Sequence, residues 1–228
     1  MTQFEFIRPH SGSGMLTLTD AAQIGDSLRR GSLAVLPTET GYMLAAVATS
    51  IPAIELAFAV KERNHAQVMH VACASLAMAS SIGQLSPLAM RLLGEFTPGP
   101  VSVIVPKTRV LPDRLVTVDG TVGIRIPDHP ATLQVINEVA APLTATSLNI
   151  SGTAPVPVKE LDLHSLNWPA DDTVYVVEDD DSISYGTGST LIGLSGGQVD
   201  VLRAGPVPEK VIRAVAGTPG YLETAARC

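Results

Sequence analysis

Thr121-Val122-Gly123-Ile124-Arg125-Ile126-Pro127 is the stretch on which the fold turns. Val122, Ile124 and Ile126 alternate with Gly123 and Arg125, the period-two pattern of a strand with one apolar face. An arginine centred on such a strand is costly to bury without a partner, so it meets either water or an anion. A second stretch, Thr144-Ala145-Thr146-Ser147-Leu148-Asn149-Ile150-Ser151-Gly152, begins apolar and dissolves into hydroxyls, an amide and a glycine. Ser147, Asn149 and Ser151 alternate, so in extended chain they share a face. Such groups bond phosphate oxygens, ribose or an amino acid, or else cap an ordinary loop. Two strand ends of this kind in one chain point to a site for something anionic.

Outward from these strands, helical and extended patterns alternate. Helices are expected over Thr17–Arg30, Pro52–Lys61, Leu76–Ile82, Pro87–Glu95, Pro130–Val139 and Pro206–Ala216. Thr17 or Thr19 can cap the first and Gly31 can stop it. Strands are expected over Leu33–Leu36 (ended by Pro37), Val68–Ala74, Val101–Val105, Thr121–Ile126, Leu143–Ser147 and Thr173–Val177. Ser189–Ile192 and Val199–Leu202 read as a pair around Ser195-Gly196-Gly197. The pattern predicts an α/β domain: a twisted mixed sheet with flanking helices. Residues 17–205 are expected to form the catalytic domain, 1–16 an N-terminal extension and 206–228 a C-terminal helix and tail.

Composition excludes several classes. Of 228 residues, 46% are apolar and only 4% aromatic, so the core is built from Val, Leu, Ile and Ala. A net charge of −7 disfavours a nucleic-acid binder held by bulk electrostatics. The two cysteines, Cys73 and Cys228, form no C-x-x-C pair and fit a reducing cytosol. Met1–Gly14 lacks the long apolar run of a targeting segment, and no window approaches the ~18 apolar residues of a membrane span. The expectation is a soluble cytoplasmic protein. No phosphate loop, G-x-G-x-x-G or H-E-x-x-H occurs. Gly193-Leu194-Ser195-Gly196-Gly197 fits G-x-S-x-G, but a strand follows where a nucleophile elbow needs a helix, so a hairpin turn is the better account. The run Glu178-Asp179-Asp180-Asp181 reads as a solvated loop. Lys61-Glu62-Arg63, where a helix ends, either complements the macrodipole or reaches for phosphates.

Seven short stretches occur together in one order: Leu36-Pro37-Thr38-Glu39-Thr40-Gly41-Tyr42, Lys61-Glu62-Arg63, Thr97-Pro98-Gly99-Pro100, Thr121 to Pro127, Ser147-Leu148-Asn149-Ile150-Ser151-Gly152, Gly188-Ser189-Thr190 and Leu202-Arg203-Ala204-Gly205. As an ordered set they resemble the YrdC-like family of threonylcarbamoyl-AMP synthases. Gly41 and the Thr146-Ser147-Leu148 segment are similar to its YciO-type branch. The resemblance implies a concave, ligand-holding sheet face. It also implies a reaction joining L-threonine, bicarbonate and ATP, with magnesium, to give threonylcarbamoyl-adenylate and pyrophosphate for the t6A modification of tRNA. Carried over by position, Lys61, Arg63, Gln67, Thr121, Ser147, Asn149 and Arg203 would hold ATP, with Lys61 and Arg63 offsetting the triphosphate charge. Thr40, Arg125, Ser189 and the backbone of Ala145 would hold threonine. No nucleophile or general base stands out, so the resemblance implies catalysis by positioning and charge. tRNA or tRNA-modification proteins would be further partners.

The chain departs from the family's pattern at several places. Asn64 stands where the family has proline. Ala72 stands at the position of a threonine-contacting histidine, and His70, two residues earlier on the same strand face, would take its place as a threonine-binding residue. Met43-Leu44-Ala45-Ala46 replaces a glycine-containing stretch, and Pro155 replaces a hydroxyl residue. Two other functions remain in view: an ATP-dependent enzyme with a different amine or carbamoyl acceptor, and an RNA-binding module without chemistry. The scarcity of aromatics speaks against base stacking in the last.

Overall fold

The computed structural model describes residues 2–62, 69–148, 156–179 and 185–217. From the N-terminus, β1 (Gln3–Ile7) precedes α1 (Leu18–Arg29), the hairpin of β2 (Ala34–Thr38) and β3 (Gly41–Ala45), and α2 (Ile51–Val60). β4 (His70–Ala72) leads to α3 (Leu76–Ile82) and α4 (Pro87–Phe96). β5 (Val101–Pro106), β6 (Thr121–Arg125), α5 (Pro130–Val139) and β7 (Leu143–Ser147) follow. β8 (Thr173–Val177), the hairpin of β9 (Thr190–Ser195) and β10 (Gln198–Arg203), and α6 (Glu209–Gly217) close the described chain.

The helices begin where the chain supplies caps. The hydroxyls of Thr17, Ser50, Ser75 and Ser86 each accept the N–H three residues on. Pro52, Pro87 and Pro130 fill first-turn positions, where a missing N–H costs nothing. Gly31, at φ +101°, ends α1 as expected. Gly196 and Gly197, at φ +58° and +79°, make the two-residue turn between β9 and β10, so the G-x-S-x-G match is a hairpin.

Among the described residues the strands form one mixed sheet in the order β1-β8-β2-β3-β7-β4-β6-β5-β9-β10. Three expectations are corrected. β2 runs through Pro37 to Thr38 instead of stopping at the proline. Its second neighbour β8 reaches only Val35, so beyond that point one edge of β2 is open and a missing N–H is tolerated. The segment read as an extension supplies β1, parallel to β8, with the Phe4 ring edge-on to Trp168 at 5.4 Å. The closing helix starts at Glu209, not Pro206, because Val207 is already committed: its N–H and C=O both bond the Thr190 hydroxyl, at 3.1 and 3.0 Å.

Alternation divides the strands between two cores. Val35, Leu44, Val71, Val103, Val122, Ile124 and Ile192 face one side, packed with α2, α3, α4 and α6. Ala34, Leu36, Met43, Ala45, Ala72 and Leu143 face the other, covered by α1 and α5 through Ile24, Leu28, Ala131, Val135 and Ile136. On this second side the helices cover only part of the sheet. The rest opens as a cleft. No helix among the described residues is long and apolar enough to cross a membrane.

Candidate active site

Register assembles the site on that partly covered face. His70 lies opposite Ala145, Ala72 opposite Arg125, and Met43 opposite Ser147. Gly123, two residues before Arg125, faces the same way, and a methyl there would meet the His70 ring at 2.7 Å. The glycine therefore lets the imidazole lie against β6. The resulting cleft, about 170 Å³, is lined by Thr40, His70, Arg125, Ala145, Ser147, Ser189 and Arg203, with Met43 and Gly188 between them.

Arg203 reaches this cleft by a β-bulge. Val199 and Val201 face the α2 side, and strict alternation would send Arg203 after them. The pairing shifts between Val201 and Arg203, so Arg203 stands opposite Leu191 and turns to the cleft. There its Nε and Nη2 donate to the Ser189 carbonyl at 3.1 and 2.9 Å, and Nη2 also donates to the Ser189 hydroxyl at 3.1 Å. Ser189 Oγ in turn lies 2.8 Å from Ser102 Oγ, which is fully buried on β5.

Arg125 meets an anion, and that anion is supplied by the chain itself. It is 8% exposed and donates from Nη2 to the Glu39 carboxylate and from Nη1 to Thr40 Oγ1 at 2.9 Å. Glu39 and Thr40 are the two turn residues between β2 and β3. Gly41, at φ +111°, closes that turn, and Thr38 Oγ1 bonds its carbonyl at 2.6 Å. Burial, and then the neighbouring Arg125 charge, push the Arg203 guanidinium below its usual value. Two guanidiniums thus line one cleft, and the Glu39 carboxylate pairs with only one of them, Arg125. The excess positive charge makes an anion acceptor.

The expected residues divide into three groups. Thr40, His70, Arg125, Ala145, Ser147, Ser189 and Arg203 come together at the cleft. Thr121 shares the Arg125 face of β6 but lies outside the cleft lining, its hydroxyl 2.8 Å from Thr117 Oγ1. Lys61 caps the C-terminus of α2 through its backbone N–H, which donates to Ala57 O. Arg63, Gln67 and Asn149 lie outside the described residues. Ala72 is fully buried in the cluster beneath α1 and α5, so His70 is the residue of β4 that reaches the cleft. Two contributors were missed. Glu39 sat inside a quoted motif, but a glutamate in a polar turn carries no signal of an arginine 86 residues away. Ser102 was hidden in an apolar strand.

The acidic run is also corrected in part. Glu178 pairs with Arg8 at 2.8 Å, and Asp179 Oδ2 lies 3.2 Å from Nε2 of the buried His129. His129 caps α5, its Nδ1 accepting the Thr132 N–H at 3.3 Å, so Nε2 carries the proton. Burial pushes this imidazole below its ordinary value, against the opposing pull of Asp179, Glu39 and Asp128. No group of three or more His, Cys, Asp or Glu side chains able to hold a metal occurs among the described residues. Among the described residues no acidic side chain lines the cleft.

Known proteins resemble the chain along most of its length. The Sua5/YciO/YrdC family profile, described as Telomere recombination, matches residues 26–205. The threonylcarbamoyl-AMP synthase of Bacillus subtilis is 32% identical over 200 residues, covering 86% of this chain and 56% of its own length. That of Rattus norvegicus is 30% identical over 207 residues, covering 88% and 72%. The crystal structure of P. abyssi Sua5 complexed with L-threonine superimposes with a TM-score of 0.80 at 25% identity, over 94% of this chain and 61% of that one. This chain thus spans little more than half of the Bacillus relative. With the ordered motifs, the sheet and the matched profile in agreement, the chain belongs to the Sua5/YciO/YrdC family.

Proposed function

We propose that the chain is an L-threonylcarbamoyladenylate synthase, a nucleotidyltransferase acting in the cytoplasm on the route to t6A in tRNA. The observation that carries this reading is the pair of guanidiniums, Arg125 and Arg203, on one small cleft. At about 170 Å³ the cleft is well below the roughly 300–1,000 Å³ of ordinary ligand pockets, the scale of one amino acid and not of a nucleotide. Arg125 takes the threonine carboxylate, with Thr40, His70, Ser189 and the Ala145 backbone around the rest of the molecule. The nucleotide lies across the mouth, where Ser147 is exposed and Arg203 borders the cleft, with Lys61, Arg63, Gln67, Thr121 and Asn149 serving its phosphates and ribose.

The chemistry then needs little from the protein beyond placement. The threonine amine adds to bicarbonate and, with loss of water, becomes the carbamate. A carbamate oxygen attacks the α-phosphorus of ATP, and the bond to pyrophosphate breaks. Arginines hold the anions in line and offset charge as it builds on the phosphorus. Magnesium would be brought in by the triphosphate; among the described residues no carboxylate lines the cleft. Incubation of the chain with ATP, bicarbonate and threonine should release pyrophosphate and give a product of the mass of threonylcarbamoyl-adenylate. Equal pyrophosphate release with and without threonine would refute the reading.

Met43, 3% exposed against the cleft, favours one second reading: the same adenylation with a different small amine. A screen of amines for pyrophosphate release discriminates the two.

A further inference from the structure

Glu39 has no role in the reaction proposed above, yet its side chain is firmly anchored beside the cleft. Its side chain is 4% exposed and both carboxylate oxygens are engaged. Oε1 accepts from Arg125 Nη2, and Oε2 accepts the Asp128 N–H at 3.0 Å. Its carbonyl accepts the Tyr185 N–H at 3.2 Å. The next residue, Thr40, receives the second arm of the same guanidinium. Thr132 Oγ1 ties the first turn of α5 to Pro37, so the hairpin carrying Glu39 is itself fastened.

Stability alone does not explain such a pair. A buried ion pair gains little over apolar residues of similar volume, because desolvation of both charges offsets their attraction. What the pair does supply is orientation. With Nη1 and Nη2 each held from the hairpin side, the guanidinium plane is set by the protein before any ligand arrives. Its Nε–H is buried and has no protein partner, an unsatisfied donor within the site.

We infer that Glu39 is the positioning residue of Arg125, holding its guanidinium so that the remaining N–H groups face a ligand carboxylate. That claim needs only the geometry of the two residues. The naming of the carboxylate as that of an amino acid rests on the function proposed above.

The test uses the full chain, wild type and Glu39→Gln. Nitrogen-15 spectra of the arginine Nε–H groups, with the Arg125 signal assigned by its loss in Arg125→Lys, report the ordering without any substrate. In wild type the signal should be sharp and slow to exchange; in Glu39→Gln it should exchange at least about tenfold faster, while far-ultraviolet dichroism is retained. Calorimetric titration with L-threonine alone should show about a tenfold weaker association for Glu39→Gln. In the Arg125→Lys background the same substitution should change the association less than about twofold. Thr40→Val, which removes the other tether, should give an intermediate exchange rate and serves if Glu39→Gln does not fold. An unchanged Arg125 signal in Glu39→Gln, or equal weakening with and without Arg125, overturns the inference. Loss of ordering in a chain that binds no threonine even as wild type supports the positioning role and overturns the substrate reading.

Discussion

Gly123→Ala tests how the cleft floor is built. The backbone at Gly123 is ordinary strand, so alanine adopts it without strain. The added methyl would sit 2.7 Å from Cδ2, 2.9 Å from Nε2 and 3.0 Å from Cγ of His70. Ordinary contact begins at 3.4 Å, so the ring must retreat by the difference from 2.7 Å, about 0.7 Å, and the cleft is where it can go. Overpacking of this kind costs about 1–3 kcal/mol. Replacing a strand glycine by alanine returns about 0.5–1 kcal/mol of backbone entropy. The expected net destabilisation is about 1–2 kcal/mol, or roughly 2–8 °C in Tm for a chain of this size. Urea unfolding measures the first and calorimetric titration with L-threonine the second effect. A displaced ring in a cleft of about 170 Å³ should weaken binding at least tenfold, about 1.4 kcal/mol. Removing the ring removes the clash, so in a His70→Ala background Gly123→Ala should cost less than about 0.5 kcal/mol. Additivity of the two substitutions within about 0.5 kcal/mol, or wild-type stability and affinity in Gly123→Ala, would refute the reasoning.

Other outcomes follow from single groups. The His129 imidazole, held below its ordinary 6.5 by burial, stays neutral in the folded chain where the unfolded chain takes a proton. Stability should therefore be full above pH 6.5 and fall as pH drops from there through the folded value, with a slope of at most about 1.4 kcal/mol per pH unit. His129→Asn, which keeps a helix cap, should flatten that slope in urea titrations; an unchanged slope would assign it elsewhere. Burial pushes the Cys73 thiol up to about 12, so in a Cys228→Ser variant a thiol reagent at pH 8 should label the chain only on unfolding. Fast labelling of the native chain would contradict the burial. Deletion of Leu202 removes the extra residue and places Arg203 directly after Val201, still opposite Leu191 and on the cleft face, so pyrophosphate release should persist. Loss of release while the other strands still form would show that the bulge does more than set which way Arg203 faces.

Much of this protein was legible as local chemistry. Thr17 and Gly31 bracket α1 because a hydroxyl acceptor and a residue tolerant of positive φ act within four residues of themselves. The alternation around Ile124 and the glycine pair at 196 and 197 are equally local. So are the ordered motifs that hold five of the seven expected residues found on one cleft: Thr40, Arg125, Ser147, Ser189 and Arg203. β1 escaped notice because five residues with two separated phenylalanines make a strand only when β8 is present to pair with them. β2 was cut short because proline's cost depends on which edge of the strand has a neighbour.

The sequence by itself therefore determined most of the helices and strands, β1 and β3 excepted, which strand face is apolar and which residue types could meet an anion. Tertiary structure alone decided which partners those residues have. Glu39 lies 86 residues from Arg125 and Ser102 lies 87 from Ser189, and nothing in either neighbourhood announces the other. It decided, too, that Arg203 belongs to the cleft, because one extra residue in β10 reverses the side-chain alternation. Caps, turns and periodicity are set by atoms a few bonds apart. Strand order and register are set by which apolar faces can be buried together across the whole chain, and the anion site inherits its geometry from them.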